Sequence, residues 1–303
     1  MTRRALAILA ALGATAIYGL NHTIAKGVMP DYVQPYGFIM LRVIGAAILF
    51  WSISIFGPKE KIDRKDYPRM LACAILGMGI NMLVYFKGLA LSTPINSAVL
   101  ITLTPIFVVV LSAIFIKEKI KPKKVLGIGI GFLGALGLIL FGAEIRQDAP
   151  NIPFGNFLIL LNAFFYGSYL IVAKILISKY HPFTFMKWLF TLGILLCLPF
   201  GYTELTEIAW GSLPFSAIWK ILFVVVGTTF CTYLFNIFAL TQLKASTLSA
   251  FVYVQPLIGI VYAIATDQDT LTTVKILAAS LVLLGVYLAS KKAPFPKRSR
   301  ATD

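Results

Sequence analysis

Apolar residues in this sequence are grouped in long runs, and the polar residues are gathered between them. The hydrocarbon core of a bilayer is about 30 Å thick and is crossed by a helix of about 20 apolar residues. Runs of that length predict ten transmembrane helices, at 5–25, 33–56, 68–91, 94–116, 122–142, 154–178, 183–203, 215–240, 245–266 and 271–290. The pattern therefore predicts an all-α integral membrane protein with ten spanning helices.

Composition supports the same class of protein. Of the 303 residues, 59% are hydrophobic and 13% are charged, and the mean hydropathy is +0.87, whereas about 25% of the residues of a soluble protein are charged. A soluble, disordered or collagen-like chain is therefore excluded. Cys73, Cys197 and Cys231 lie within apolar runs and are odd in number, so they predict small core residues rather than a disulfide framework.

The charged residues predict the orientation of the chain. The 27 Lys and Arg residues exceed the 12 Asp and Glu residues by 15, and they are concentrated in alternate connections, the arrangement that marks the cytoplasmic side of a membrane protein. Both termini, including a basic tail at 291–303, are therefore expected in the cytoplasm. Because the excess charge has this topological explanation, no nucleic-acid partner is expected.

The two halves of the sequence repeat one another. Tyr18-Gly19 recurs as Tyr166-Gly167, displaced by 148 residues. Further matches are Phe86, Ala90 and Leu91 with Phe235, Ala239 and Leu240, and Pro105, Lys124, Leu126 and Gly134 with Pro256, Lys275, Leu277 and Gly285. The repeats span 5–141 and 154–290, with five helices each. Because five is odd, the second repeat is inverted in the membrane, an arrangement that permits alternating access along a path between the repeats.

Several short motifs carry a resemblance to a known family. They are Tyr18-Gly19-Leu20-Asn21 followed by Ala25-Lys26, Arg42, the run Gly88-Leu89-Ala90-Leu91-Ser92-Thr93-Pro94, Pro105 and Glu118. In this order they resemble the drug/metabolite transporter superfamily, specifically the proteins built from two EamA domains. The resemblance implies a ten-helix carrier of the bacterial inner membrane, commonly an exporter of amino acids or related small metabolites. The second repeat departs from the pattern at Ser168-Tyr169 and at Asp269, which leaves the substrate open.

Polar side chains at membrane depth need a partner helix or a water-filled cavity, and four of them are the first candidates for a substrate site. Asn21 and Asn81 lie far from the predicted helix ends, where they either line a cavity or bond a neighbouring helix. Lys87 either snorkels to the headgroups or attracts a substrate carboxylate. Asn236 occupies the displaced position in the second repeat, so we expect Lys87 and Asn236 to share one cavity wall.

Other charged residues have competing interpretations. Arg42 is a further candidate for substrate binding, but it lies near its helix end, and snorkelling is the favoured alternative for it and for Lys187. Lys26 and Lys174 are expected to be anchors near helix ends. No Asp or Glu falls inside the predicted spans, so proton coupling would need His22, a lysine or the substrate itself; His22 is otherwise interpreted as structural. Facilitated diffusion and exchange stay open.

Three tyrosines lie deep enough in the predicted helices to contact a substrate. They are Tyr18, Tyr166 and Tyr169. A tyrosine ring offers both a stacking face and a hydroxyl, although anchoring at the membrane surface is the usual role of a tyrosine in such a helix.

Two prolines inside helices predict hinges. Pro256 frees a backbone carbonyl in the ninth helix, and Gln255 directly before it is a candidate substrate contact. Pro105, with Thr102 and Thr104 nearby, is the equivalent proline interruption in the fourth helix. A simple structural kink is the alternative at both positions.

The glycine string Gly129-x-Gly131-x-x-Gly134 matches a dinucleotide-binding pattern but lies within an apolar helix, with no preceding strand. Together with Gly127 it predicts instead a face of small residues for close helix packing. The sequence contains no P-loop and no metal-ligand spacing, so no cofactor or metal is expected.

These observations favour a secondary transporter that moves a small metabolite, an amino acid or a related zwitterionic or anionic solute, outward by alternating access. The alternatives are an intramembrane enzyme and a membrane sensor or scaffold without transport. The spans lack a set of catalytic groups and the connections are too short for a soluble domain, so no enzyme is expected. The expected partners are the small-molecule substrate and membrane lipid, with a monomer expected and an oligomer left open.

Overall fold

The computed structural model of the chain describes residues 2–115, 122–142, 146–243, 251 and 254–290. Within these ranges the chain forms ten helices and no strand. They are α1 (Arg3–Lys26), α2 (Pro35–Ser54), α3 (Arg64–Leu91), α4 (Pro94–Phe115), α5 (Pro122–Phe141), α6 (Ile152–Lys179), α7 (Pro182–Thr206), α8 (Phe215–Ala239), α9 (Val254–Ala265) and α10 (Thr273–Ser290).

Nine of the described helices are long and apolar enough to cross a membrane. The tenth, α9, is described only from Val254. The residues in or beside its expected first half that lie outside the described residues are 244–250, 252 and 253. The prediction of an all-α integral membrane protein is confirmed.

Local sequence determines where several helices begin. Proline occupies the first or second position of α2, α4, α6 and α7, where its fixed φ suits a helix and its missing N–H leaves no bond unmade. Before α4 and α6, Thr93 and Asn151 accept hydrogen bonds from the backbone N–H groups of Asn96 and Phe154. These caps satisfy N–H groups that a helix end otherwise leaves unpaired.

Among the helices that extend beyond their predicted bounds, two gain a carboxylate. Helix α3 begins at Arg64 and contains Asp66, and α7 continues to Thr206 and contains Glu204. Asp66 accepts hydrogen bonds from the side chains of Lys179 and Tyr180. Glu204 accepts backbone N–H bonds of 2.6 and 2.8 Å at the start of α2. The expectation that the spans hold no acidic residue is therefore wrong at these two helix ends, where partners stabilise the charge.

The helix contacts follow a twofold pattern that exchanges each helix with the one five positions later. The self-equivalent pairs α2 with α7 and α5 with α10 are in extensive contact. The contact of α3 with α6 is matched by that of α8 with α1, and the contact of α4 with α6 by that of α9 with α1. The chain is therefore two five-helix repeats, and the odd helix number inverts the second relative to the first.

The recurring Tyr-Gly dipeptide has a packing reason in both repeats. A Cβ atom on Gly19 would lie 2.9 Å from Cβ of Ile258 in α9. A Cβ atom on Gly167 would lie 3.3 Å from Cβ of Phe107 in α4. Residues 107 and 258 are themselves displaced equivalents, so each glycine lets the first helix of its repeat approach the fourth helix of the other.

The predicted glycine face of α5 packs against α10. Cβ atoms on Gly127 and Gly134 would lie 2.6 Å and 2.8 Å from backbone atoms of α10, and one on Gly285 would collide with the backbone of Gly131. Gly129 differs, since no atom lies within 4 Å of its Cβ position. The prediction of close packing is therefore confirmed for Gly127, Gly131 and Gly134, but Gly129 is not part of the contact.

Each repeat contains a π-helical segment at the same place in its third helix. These segments are Ile75–Gly79 in α3 and Phe223–Cys231 in α8, and their first residues are 148 positions apart. A π-helical turn holds an extra residue, which rotates the side chains that follow and is common at functional sites. The second segment carries the threonines of the polar centre described below.

We predict that Gly285→Val destabilises the protein, because its side chain would enter the backbone of α5. Overpacking costs about 1–3 kcal/mol of stability where side chains can adjust. The cost should be at least as large here, because the backbone adjusts less than side chains do. Thermal unfolding of the purified protein should show a lower apparent Tm. Gly129→Val is the matched control, and an equal fall in Tm for both variants would contradict this packing.

Candidate functional site

A buried polar cluster joins four helices near the middle of the bundle. Asn21 of α1 donates a 3.2 Å hydrogen bond to the hydroxyl of Tyr85 in α3 and accepts one of 3.1 Å from Thr228 in α8. Nδ1 of His22 lies 3.1 Å from the same tyrosine hydroxyl and 2.9 Å from Oγ of Ser97 in α4. All five side chains are buried, so the cluster ties the first helix to both repeats.

Arg42 of α2 lies beside this cluster and points into the bundle. Its Nε donates a 2.9 Å hydrogen bond to Oγ1 of Thr229 in the π-helical segment of α8. Its guanidinium carbon lies 5.8 Å from the centroid of the Phe86 ring in α3, which is within the range of a cation–π contact. Because both partners are buried, the snorkelling alternative for Arg42 is wrong.

Four tyrosines near Arg42 or near its neighbour Tyr18 form two repeat-related pairs. Tyr18 matches Tyr166, and Tyr85 matches Tyr233, each displaced by 148 residues. Tyr18, Tyr85 and Tyr166 lie within electrostatic range of Arg42, and Tyr233 within range of Tyr18. The second pair was missed in the sequence because each of its tyrosines was considered singly; the common displacement is the signal that identifies it.

Tyr166 is 39% exposed although it lies in the middle of α6. Its hydroxyl interacts electrostatically with Tyr18 and Arg42, so this end of the ring points toward the first repeat. Tyr169 stacks on Tyr166 with 5.8 Å between ring centroids, but it is only 4% exposed and packs onto Gly77. Tyr169 therefore supports the site from behind.

Asn81 belongs to helix packing. Its Nδ2 donates to the backbone carbonyl of Asn162, and Nδ2 of Asn162 donates to the carbonyl of Asn81, each at 3.1 Å. This reciprocal pair bonds α3 to α6, which corresponds to the packing alternative for Asn81.

Lys87 and Asn236 do not share a wall, and that expectation is corrected. Lys87 lies near the outer end of α3, with its Nζ 5.9 Å from the ring centroid of Tyr36. Asn236 lies near the inner end of α8, the helix that α3 matches in the inverted repeat. Equivalent positions of inverted repeats lie at opposite depths, so a shared displacement does not bring them together.

The other predicted lysines have different surroundings. Nζ of Lys26 is buried and donates to the backbone carbonyls of Leu89, Ala90 and Asp148, at 3.1, 2.7 and 2.5 Å. It caps the last turn of α3, a favourable place for a cation, rather than anchoring to lipid. Lys174, its counterpart, is exposed.

Lys187 lies against aromatic rings at the protein surface. Its Nζ is 4.6 Å from the ring centroid of Trp51, which is itself exposed and packs edge-to-face on Trp188. Exposed tryptophans of this kind suit the membrane–water interface. Lys187 therefore fits the snorkelling alternative, unlike Arg42.

The predicted interruption of α4 at Pro105 is present in the structure. A short 3₁₀ turn, Ile101–Leu103, precedes Pro105, and the hydroxyl of Thr104 donates a 2.8 Å hydrogen bond to the carbonyl of Ile101, the group that the proline leaves without its helical partner. In α9, Pro256 is buried and Gln255 half-buried, while residues 252 and 253 before them lie outside the described residues. Hinge motion at either proline stays a prediction.

An ion-pair network that was not predicted closes the outer face. The buried carboxylate of Asp269 lies 2.7 Å from Nζ of Lys275 and 3.2 Å from Arg146, and accepts the backbone N–H of Ile95 at the start of α4. Arg146 also donates bonds of 2.9 and 2.8 Å to Asp148 and holds the pKa of that carboxyl below its usual value. The displaced pairs Glu118–Lys124 and Asp269–Lys275 were the available signal; Glu118 lies outside the described residues.

Comparison with known proteins identifies the family. A model of the EamA-like transporter family matches residues 5–140 and 153–291. This chain belongs to the EamA-like transporter family. The protein is therefore an integral membrane transporter, and the resemblance seen in the sequence motifs is confirmed.

Relatives of this EamA-like transporter share most of its length. An uncharacterized transporter of Archaeoglobus fulgidus is 30% identical over 261 residues, which cover 86% of this chain and 90% of that protein. The uncharacterized transporter YyaM of Bacillus subtilis is 25% identical over 289 residues, 94% of each chain. A solved crystal structure with 14% identity aligns with a TM-score of 0.60 over 95% of this chain and 97% of its own, a likeness that shows the fold alone.

We predict that Lys275→Met strongly destabilises this transporter, because buried Asp269 then loses a cation. Removing one partner of a buried ion pair costs about 3–5 kcal/mol, which should appear as a clear fall in the apparent Tm of the purified protein. Lys124→Met, at the displaced position, is the control. Lys124 has no ion pair in the described chain, so Lys124→Met should change the free energy of unfolding by no more than about 0.5 kcal/mol. Similar losses of stability in both variants would contradict the role of the Lys275–Asp269 ion pair.

Proposed function

We propose that this protein is an alternating-access carrier that exports a small metabolite, an amino acid or a related zwitterionic or anionic solute, across the bacterial inner membrane. Both termini are proposed to face the cytoplasm, in accord with the basic connections. The export direction and the substrate class are supported by the family resemblance. The alternating-access mechanism is supported by one observation, the unequal closure of two repeat-related helix seams.

The outer seam, between the ends of α3 and α6, is tightly closed. Cβ atoms on Gly88 and Gly155 would lie 2.9 and 2.7 Å from the backbone oxygen of the other residue. Oγ of Ser92 donates to Asn156 across the same seam, and Lys26 caps α3 there. No room for a solute is left between these backbones.

The equivalent inner seam, between α8 and α1, is packed through side chains instead, with Ala7, Ala11, Ala239 and Leu243 in one buried cluster. The nearest atom to a Cβ on Gly13 is 3.5 Å away, in the Phe235 ring. Toward the cytoplasmic ends of the helices an apolar groove lies between them. Its lining consists of Leu6, Leu9, Ala10, Leu234, Phe235 and Phe238.

Charged groups repeat the difference between the two faces. Lys26 and Lys275 are buried and bonded at the outer face. Lys174 and Lys124, their displaced counterparts, retain exposed surface, and Glu118, the counterpart of Asp269, lies outside the described residues. Glycine backbones and bonded cations at the outer seam, with side-chain packing at the inner seam, support a carrier that is closed on its outer side.

We predict that breaking the outer closure shifts the inner seam. In protein with its three native cysteines replaced by alanine, spin labels at Leu6→Cys and Phe238→Cys report the inner separation by pulsed electron resonance. Lys26→Met removes charge-assisted hydrogen bonds, each contributing about 1.5–3 kcal/mol, so the population should move toward the state open outside, with a shorter label distance.

Lys174→Met is the control and should leave the distance distribution unchanged. Proteoliposomes of the same samples should show protein-dependent counterflow of labelled amino acids or small carboxylates, slower with Lys26→Met. An unaltered distance with Lys26→Met, together with no flux from any solute, would refute the carrier mechanism.

A further inference from the structure

Arg42 is positioned as a binding group rather than as a structural ion-pair partner. It lies seven residues into α2, about 10 Å from the outer helix start at 1.5 Å per residue. Thr229 of α8 and Phe86 of α3 hold it between three helices. Thr229 belongs to α8, so Arg42 of the first repeat is bonded directly to the second repeat.

The bond to Thr229 uses only Nε of Arg42. The two terminal nitrogens make no hydrogen bond and no ion pair within the described chain, and the side chain retains accessible surface. The four N–H groups on these nitrogens form the planar fork that binds a carboxylate through two parallel hydrogen bonds. With Nε fixed, that fork has a set orientation.

No carboxylate of the described chain balances the charge of Arg42. The two acids inside the described helices and the buried Asp269 are already bonded elsewhere: Asp66 to Lys179, Glu204 to the start of α2, and Asp269 to Lys275. A buried cation without a counter-charge is costly. A monoanionic solute would neutralise it, whereas the ammonium of a zwitterion would face this cation with no acid to pair with.

The groups around the fork indicate the rest of the ligand. The hydroxyls of Tyr18, Tyr166 and Tyr233 have no hydrogen bond within the described chain, and the ring of Tyr233 packs edge-to-face on Phe50. Aromatic faces with a few hydroxyls suit an apolar or aromatic body with few polar groups.

We propose that Arg42 is the anion-binding residue of the central site, and that the site prefers a solute with a carboxylate, a net charge of −1 and an apolar or aromatic body over the corresponding zwitterion. This inference rests on the proposed carrier function and narrows its substrate class. The second repeat lacks such a group, since Phe190 occupies the displaced position, so the central site holds one anion.

The test uses ligands with similar bodies and different charges. Full-length protein in nanodiscs is unfolded thermally at pH 7 with 3-phenylpropionate, phenylalanine, 2-phenylethylamine or 3-phenylpropanamide, and with acetate, butyrate and inorganic phosphate. Binding to the native state raises Tm, and 3-phenylpropionate should raise it most. With Arg42→Met its dissociation constant should increase roughly 30-fold or more, and with Arg42→Lys about tenfold, because lysine keeps the charge without the fork.

Lys187→Met is the matched control, since Lys187 lies on surface rings, and its affinity for 3-phenylpropionate should equal that of the wild type. If Arg42→Met does not fold, Arg42→Lys and the ligand ranking on wild-type protein decide the question. The inference is overturned if none of the three carboxylates gives an Arg42-dependent rise in Tm, if phenylalanine binds more tightly than 3-phenylpropionate, or if phosphate binds more tightly than the carboxylates.

The outcome separates this inference from the carrier mechanism. If the label distances change with Lys26→Met but anion binding does not depend on Arg42, the carrier mechanism is supported and the anion subsite is rejected. If anion binding depends on Arg42 but the label distances do not change with Lys26→Met, the anion subsite is supported and alternating access is rejected.

Discussion

The cost of an unpaired polar group inside a hydrocarbon layer is the constraint on which this structure depends. Water is scarce at that depth, so each buried polar atom needs a partner from another helix or from a ligand. Asn81 and Asn162 each donate an amide hydrogen bond to the backbone carbonyl of the other across two helices, and Lys26 is satisfied by three backbone carbonyls. The terminal nitrogens of Arg42 and three tyrosine hydroxyls make no hydrogen bond within the described chain, and these are the groups that we propose to bind the solute.

The scaffold is symmetric, but its chemistry is not. Glycines at equivalent positions let the first helix of each repeat approach the fourth helix of the other, which matters because helices in lipid associate through close packing and not through exclusion of water. At the centre the equivalence ends: Asn21 corresponds to Tyr169 and Arg42 to Phe190. We propose that the symmetric packing supplies two comparable states, while the asymmetric side chains supply one site.

Much of the fold and part of the site were predictable from the sequence. Run length and alternating charge depend on local composition, so the helices and the repeat could be found without coordinates. Asn21, Arg42, Tyr18 and Tyr166, selected as candidates for substrate binding, lie near one another in the structure, and their role in binding stays a prediction. Lys87 was placed there wrongly, because a displacement along the chain identifies equivalent residues but not their depth, which inversion reverses.

The sequence by itself determined the solvent of this protein, its ten helices and the inverted duplication, because each follows from the order of apolar and charged residues along one dimension. Only the tertiary structure decided which face of each helix meets a neighbour, and therefore that Arg42 turns inward to Thr229 while Lys187 turns outward to Trp51. It also decided which seam is closed. Two near-equivalent packings share one sequence, so the difference between them resides in contacts between distant residues, such as Lys26 with Ala90 and Asp269 with Lys275.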